Sequence, residues 1–291
     1  KVCTGIQDGK KCCECILSKA EHLKDDLGWR VYCSNGKNHS HEWSKNMGFE
    51  DLEPMPDPSI YQKYLASFIS AFKKMDYCLA VSERVKQLFI ENGFYEGNIK
   101  VSYIGSAVAE KQLGHSVNTD YSSIKLVFLG YTGMYEKGFS FLINALKKLP
   151  IELAKKVELF VAAIGANKNE LENQLPNLKK VDALNGYTHE QLAKILSNSN
   201  LGIIPVLWED NLPQVALEMV AHGVPILSSN LGGASELCNL DEFKFIGGNE
   251  EDFIDKLKLF IENPTKLEKY WEGHRGLTTM TMHINDLEKY L

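Results

Sequence analysis

The chain of 291 residues is defined first by what it does not contain. It has no run of about 18 apolar residues, which excludes a transmembrane helix, and no signal-peptide pattern at its start. It lacks a basic excess: the formal charge is −6 at pH 7, which argues against a general nucleic-acid binder. There is no internal repeat, no low-complexity segment, no Walker loop and no HExxH zinc motif. The cysteines number seven, an odd count for a disulfide framework. The chain opens at Lys1 without a Met, and its first residues do not read as a strand. It is therefore expected to start inside a larger protein.

What remains is ordinary for a globular protein, 44% hydrophobic and 24% charged, and the length suits about two domains. Along the chain, apolar β-type runs alternate with helical patterns. A helix over 59–74 carries Tyr61, Leu65, Phe68, Ile69 and Phe72 on one face. Tyr77–Val81 reads as a strand, followed by a helix capped by Ser82 and stopped by Gly93, then a strand over Asn98–Ile104. The polar, aperiodic stretch Ala109–Ser123 reads as a linker. IKLVFLG ends a strand at Gly130, and a loop with Lys137–Gly138 leads into a helix over Phe139–Leu149. Strands at Val157–Ile164 and Lys180–Leu184 flank a helix over 168–174. Thr188 caps the next helix with Glu190 and Gln191 in its first turn. A strand near Phe243–Ile246, a helix near 251–262 and a helical tail containing Trp271 close the chain. Such alternation predicts an α/β fold with a parallel, doubly wound sheet.

The organising stretch is GIIPVLWEDNLPQVALEMVAHGVPILSSNLGGASEL, residues 202–237. A buried strand, Leu201–Val206, runs into a polar turn, Trp208–Leu212. A helix with Pro213 in its first turn follows and ends at Gly223. A second strand, Val224–Leu227, precedes the Gly232–Gly233 turn. Polar turns at the carboxyl ends of parallel strands are where a ligand crevice forms. Asp210 and Glu218 stand eight residues apart, and free helix amides beside them could hold a phosphate. Two carboxylates beside an anion site suit a ligand with both hydroxyls and phosphates, such as a nucleotide sugar. The alternative is that Asp210 or Asn211 merely caps the helix while Glu218 is solvated.

EDNLPQVALEMVAHGVPILSSNLGGASEL resembles the donor-site signature of retaining family 4 glycosyltransferases, which have the GT-B architecture. Their acidic residue, seven-residue gap and Glu fall on Asp210 and Glu218. Gly223, Pro225, Gly232, Gly233 and Glu236 match the rest. The family usually has Glu at the first position, and Glu209 precedes Asp210 here, so either is a candidate. The resemblance implies that Asp210 or Glu209 contacts donor-sugar hydroxyls, that Glu218 holds the ribose, and that Lys137 meets the diphosphate. It further implies donor contacts from Gly130, Tyr131, Gly138, Tyr187, Asn211, Leu212, Pro213, Gly232 and Gly233. Many members have Arg where this chain has Tyr131.

The same resemblance implies two Rossmann-like domains with parallel sheets, the N-terminal one incomplete. Residues 1–118 would form the acceptor side with its linker, 119–264 the nucleotide-sugar domain, and 265–291 a tail returning to the first domain. The implied reaction moves a sugar from a nucleotide diphosphate sugar to a hydroxyl of a glycan or lipid-linked sugar acceptor, with retention and without a catalytic metal or other cofactor. Its setting would be polysaccharide or glycoconjugate synthesis in the cytoplasm, with peripheral association at the inner membrane face. No nucleic acid is expected as partner. Two other readings are a non-catalytic nucleotide-sugar-binding or scaffold module and a sugar-nucleotide epimerase. The cysteine cluster, C-x8-C-x2-C at Cys3, Cys12 and Cys15, could hold a structural zinc with Cys13, Cys33 or a His (His39, His41) as fourth ligand. Free thiols are the competing reading.

Overall fold

A computed structural model describes residues 58–110 and 120–290. The described chain divides into two compact units. The smaller comprises 58–76 and 89–98, and the larger 77–88, 99–110 and 120–290. Cys3, Cys12 and Cys15, with Cys13, Cys33, His39 and His41, lie outside the described residues.

In the smaller unit, α1 (Pro58–Phe72) brings Phe72 against Phe89 and Phe94, with ring centroids 5.5 and 4.9 Å away. Phe89 and Phe94 are themselves 4.8 Å apart. The apolar stripe is narrower than its spacing suggests: Leu65, Ile69 and Phe72 are partly covered, whereas Phe68 is 60% exposed. Leu65, Ile69 and Phe72 follow the i, i+4, i+7 rule, and Phe68 falls beside that line.

The larger unit holds two parallel sheets. β1 (Cys78–Ala80) pairs with β2 (Ile99–Val101), and α2 (Glu83–Glu91) lies between them in sequence. The main sheet has six strands in the order β5-β4-β3-β6-β7-β8. These are β3 (Ile124–Tyr131), β4 (Val157–Ile164), β5 (Lys180–Asn185), β6 (Leu201–Ile204), β7 (Ile226–Ser229) and β8 (Lys244–Phe245). The helices between them are α3 (Phe139–Lys147), α4 (Lys168–Gln174), α5 (His189–Ser197) and α6 (Gln214–Ala221), with one further helical turn at Ile151–Ala154; α7 (Glu250–Glu262) follows β8, and α8 (Met280–Leu287) lies near the end. β3 sits centrally because IKLVFLG is apolar at nearly every position, as a strand covered on both faces must be. Its register with β4 runs unbroken from Ile124 opposite Val157 to Tyr131 opposite Ile164.

Local signals set the helix starts. Thr188 forms a full capping box with Gln191, and Asn249 accepts the amides of Glu251 and Asp252. Several strands are shorter or shifted relative to their apolar runs. β6 stops at Ile204 because Pro205 has no amide to donate, and β7 starts after Pro225, whose carbonyl accepts from Gly202. β2 ends at Val101, short of Ile104. Of the expected linker, 111–119 lie outside the described residues, whereas Ala109 and Glu110 complete a helical turn, Ala107–Glu110.

The strand order reverses direction at β3, whose neighbours are β4 on one side and β6 on the other. Connections leaving β3 and β6 therefore run to opposite faces, the arrangement in which parallel sheets bind ligands at the strands' carboxyl ends.

Candidate active site

The loop after β3 is shaped by two glycines. Gly130 adopts φ 133°, and Gly138 adopts φ 75° where a 3-10 turn, Tyr135–Lys137, meets α3. A side chain at Gly138 would run into the main-chain carbonyl of Pro205, just past β6. The Leu207 amide also donates to the Glu136 carbonyl at 2.8 Å. The loops after β3 and β6 are thus fastened together, and Lys137 is carried to the turn after β6. Its ammonium lies 2.7 Å from Asp210 Oδ2 and 5.4 Å from the centroid of the Trp208 ring.

Neither carboxylate of the acidic pair caps α6, where Pro213 occupies the N-cap position without a side-chain bond. Asp210 is 8% exposed and Glu218 9%. Glu218 lies within α6 and accepts a hydrogen bond from the Tyr187 phenol at 3.0 Å. Burial, and then the Glu218 carboxylate, push the Tyr187 pKa far up, so the phenol remains the donor. Tyr131, 46% exposed, is close enough to add to that shift.

Glu209 is separated in role from Asp210, its neighbour in sequence. Its two oxygens accept from Arg84 Nε at 3.1 Å, Arg84 Nη2 at 2.6 Å and the Gly232 amide at 2.8 Å. Gly232, at φ 67°, presses against the Asp210 main chain, leaving no room for a side chain. The Gly233 amide donates to the carbonyls of Asp210 and Asn211 at 2.9 and 3.1 Å. The Asn211 carbonyl also accepts from Ser82 Oγ at 3.2 Å, and Leu212 is buried behind the turn. Thus Lys137, Gly138, Glu209, Asp210, Asn211, Gly232 and Gly233 converge, with Tyr187 and Glu218 as a second pair.

Ser82 caps α2 as its sequence indicates, accepting from Val85 N at 3.2 Å. Glu236 adds a second cap from far along the chain, accepting from the amides of Glu83 at 3.1 Å and Arg84 at 2.7 Å. The Tyr103 phenol donates to Glu236 at 2.7 Å, and the Arg275 guanidinium stacks 3.7 Å above the Tyr103 ring. Burial first, then the Glu236 carboxylate, raises the Tyr103 pKa to about 12, while burial lowers that of Arg275. Sequence reasoning missed Arg84, Tyr103 and Arg275 as parts of this network. The one available signal was Ser82, a cap that places Arg84 in the first helical turn.

Chemically, the loops offer one ammonium and one buried carboxylate around a backbone that approaches closely at its glycines, and α6 adds a second buried carboxylate, Glu218. Such a set can meet an anionic group and several hydroxyls at once. Among the described residues, no group of three or more His, Cys, Asp or Glu side chains is placed to hold a metal ion, and no helix is long and apolar enough to cross a membrane.

The family profile described as glycosyl transferases group 1 matches residues 119–275, more than half of the chain. An uncharacterized glycosyltransferase of Methanocaldococcus jannaschii is 28% identical over 231 residues, covering 74% of this chain and 56% of the relative. The 2-deoxystreptamine N-acetyl-D-glucosaminyltransferase of Niallia circulans is 25% identical over 163 residues, covering 52% of this chain and 41% of the relative. The chain therefore spans about half the length of these relatives. Among solved structures, Anabaena HepE in complex with UDP and glucose superposes with a TM-score of 0.59 at 18% identity, covering 79% of this chain and 67% of that one. The parallel α/β architecture of GT-B type expected from the sequence is the fold observed.

Proposed function

The chain belongs to the glycosyl transferases group 1 family, and on that premise we propose that it carries the donor site of a retaining, family 4 type glycosyltransferase. The observation that carries this reading is the convergence of Lys137, Asp210 and the Gly232–Gly233 turn, with Glu218 buried in the helix that follows and hydrogen-bonded to Tyr187. The donor is a nucleotide diphosphate sugar; among proteins of similar fold, Anabaena HepE is in complex with UDP-glucose.

In the proposed reaction, the bond between the anomeric carbon and the diphosphate oxygen breaks as an acceptor hydroxyl oxygen bonds to the same face of that carbon, and the hydroxyl proton passes to the leaving diphosphate oxygen. Negative charge grows on the leaving diphosphate, where the Lys137 ammonium stabilises it electrostatically. Asp210 orients sugar hydroxyls, and Glu218, held by Tyr187, takes the ribose hydroxyls. Glu209 serves the turn rather than the sugar, because Arg84 and the Gly232 amide already fill its oxygens. No catalytic metal is invoked. The acceptor is a glycan or lipid-linked sugar, in polysaccharide or glycoconjugate synthesis on the cytoplasmic side of a membrane. In this reading residues 1–118 form the acceptor side with its linker, 119–264 the donor domain and 265–291 the tail.

One observation favours a second reading, a non-catalytic nucleotide-sugar-binding module: Tyr131 stands where many members have Arg. Titration calorimetry with UDP, GDP and ADP, without added metal, tests both. Micromolar binding of one nucleotide, abolished in a Lys137→Ala, Glu218→Ala double variant, supports a donor site. The absence of binding by a folded sample would sink it, and binding without sugar transfer would favour the module.

A further inference from the structure

We propose that Arg84 is a positioning residue for the Gly232–Gly233 turn, acting through Glu209; this rests on the reading of that turn as part of the donor site. Arginine is rare in this chain (Arg30, Arg84 and Arg275), whereas lysine is plentiful. The Arg84 guanidinium meets Glu209 in a two-pronged arrangement, Nε to Oε2 at 3.1 Å and Nη2 to Oε1 at 2.6 Å. Such a fork fixes the plane of the carboxylate, which a single ammonium cannot do. The Glu209 side chain is only 8% exposed, and its Oε2 also accepts from the Gly232 amide at 2.8 Å.

The same arginine reaches the far end of the turn through its main chain. Its amide donates to Glu236 Oε1 at 2.7 Å, so Gly232 and Glu236 are both referred to one residue of α2. Between those anchors the backbone has little freedom. Gly232 is packed on the Asp210 main chain, and the Gly233 amide is bonded to the carbonyls of Asp210 and Asn211. The orientation of Glu209 therefore sets the position of the turn and of the Asp210 carboxylate beside it. α2 comes from a segment of chain 125 residues away from Glu209, so the turn's geometry is imposed from outside the donor motif.

The test uses the full chain with Arg84→Gln and Arg84→Lys. Amide exchange at Gly232, read by NMR without ligand, and UDP, GDP and ADP affinity by calorimetry are the two measurements. In Arg84→Gln, Gly232 exchange is expected to rise about tenfold or more while the midpoint of thermal unfolding moves little, as the guanidinium no longer holds the acceptor of that amide. Affinity for the nucleotide that binds the unmodified chain is expected to fall about fivefold, with Arg84→Lys intermediate because it keeps the charge but not the fork. Unchanged exchange in folded Arg84→Gln would overturn the proposal. So would faster exchange with unchanged affinity, which would leave only a structural tie. If Arg84→Gln fails to fold, the same criteria apply to Arg84→Lys. If the unmodified chain binds none of the three nucleotides, the donor-site reading falls and takes the functional part of this proposal with it. The ligand-free exchange result still reports separately whether Arg84 holds the turn.

Discussion

Lys137 Nζ lies 2.7 Å from Asp210 Oδ2, an ion pair between loops 73 residues apart in sequence. The carboxylate is largely covered and the lysine moderately so, with side-chain exposures of 11% and 28%. A diphosphate held by Lys137, as proposed, would share the ammonium with Asp210. Asp210→Asn removes this competitor, and partly exposed pairs are worth about 0.2–1 kcal/mol. UDP is expected to bind Asp210→Asn up to about fivefold more tightly at low salt, with the gain fading at high salt. Sugar transfer is expected to fall in the same variant. Calorimetry at two ionic strengths decides the matter, and weaker UDP binding in Asp210→Asn would show that Lys137 does not meet the diphosphate.

Glu218 is buried with the Tyr187 phenol 3.0 Å away. If this carboxylate grips ribose hydroxyls, the unmodified chain should prefer UDP over 2′-deoxy-UDP by about tenfold, the worth of one charge-assisted hydrogen bond. Glu218→Gln should narrow that preference to within about threefold. Tyr187→Phe strips a donor from a buried carboxylate and is expected to lower stability by about 1 kcal/mol or more, read by urea unfolding.

Gly138 and Gly130 both have positive φ, yet their surroundings differ. A Cβ at Gly138 would collide with the Pro205 carbonyl, whereas one at Gly130 would find nothing within 4 Å. Gly130→Ala should cost about 1–2 kcal/mol from backbone conformation alone. Gly138→Ala adds a clash with main chain and should cost about 1–3 kcal/mol more. Parallel denaturant titrations that gave equal losses would argue against the fastening of the two loops.

The Tyr103 phenol is neutral while it donates to Glu236, and its pKa rises from 10.0 to about 12. A group whose folded pKa is raised binds its proton more tightly in the native state. The corresponding stability is complete below pH 10 and disappears as pH climbs to about 12. Because Tyr103 is partly solvent-exposed, the loss should be on the order of 1 kcal/mol rather than the full value of the shift. Tyr103→Phe should abolish this part of the alkaline loss. Unfolding curves of both proteins between pH 9 and about 12 provide the check.

Much of the architecture was legible in the residues. The apolar runs IKLVFLG and LGII marked central strands, Thr188 and Ser82 marked helix starts, and Gly93 and Gly223 marked stops, because each acts through neighbours a few residues away. Strand ends were less legible: Val206 and Val224 are apolar enough for a strand, but Pro205 and Pro225 deprive the ladder of donors.

By itself the sequence determined the alternation of strands and helices, the glycine turns and the placing of Lys137 and Asp210 in loops at one end of a parallel sheet, with Glu218 in the helix that follows Asp210. Local hydrogen bonding and side-chain periodicity suffice for that. It left Glu209 and Asp210 as interchangeable neighbours. Only the tertiary structure separated them, turning Asp210 to Lys137 and Glu209 to Arg84 and the Gly232 amide. It likewise brought Glu236 to the start of α2 and Tyr187 to Glu218. Those pairings join residues 23 to 153 positions apart. Spacing along the chain carries no information about them, because a buried charge takes whatever donor the packing of distant elements brings within hydrogen-bond reach.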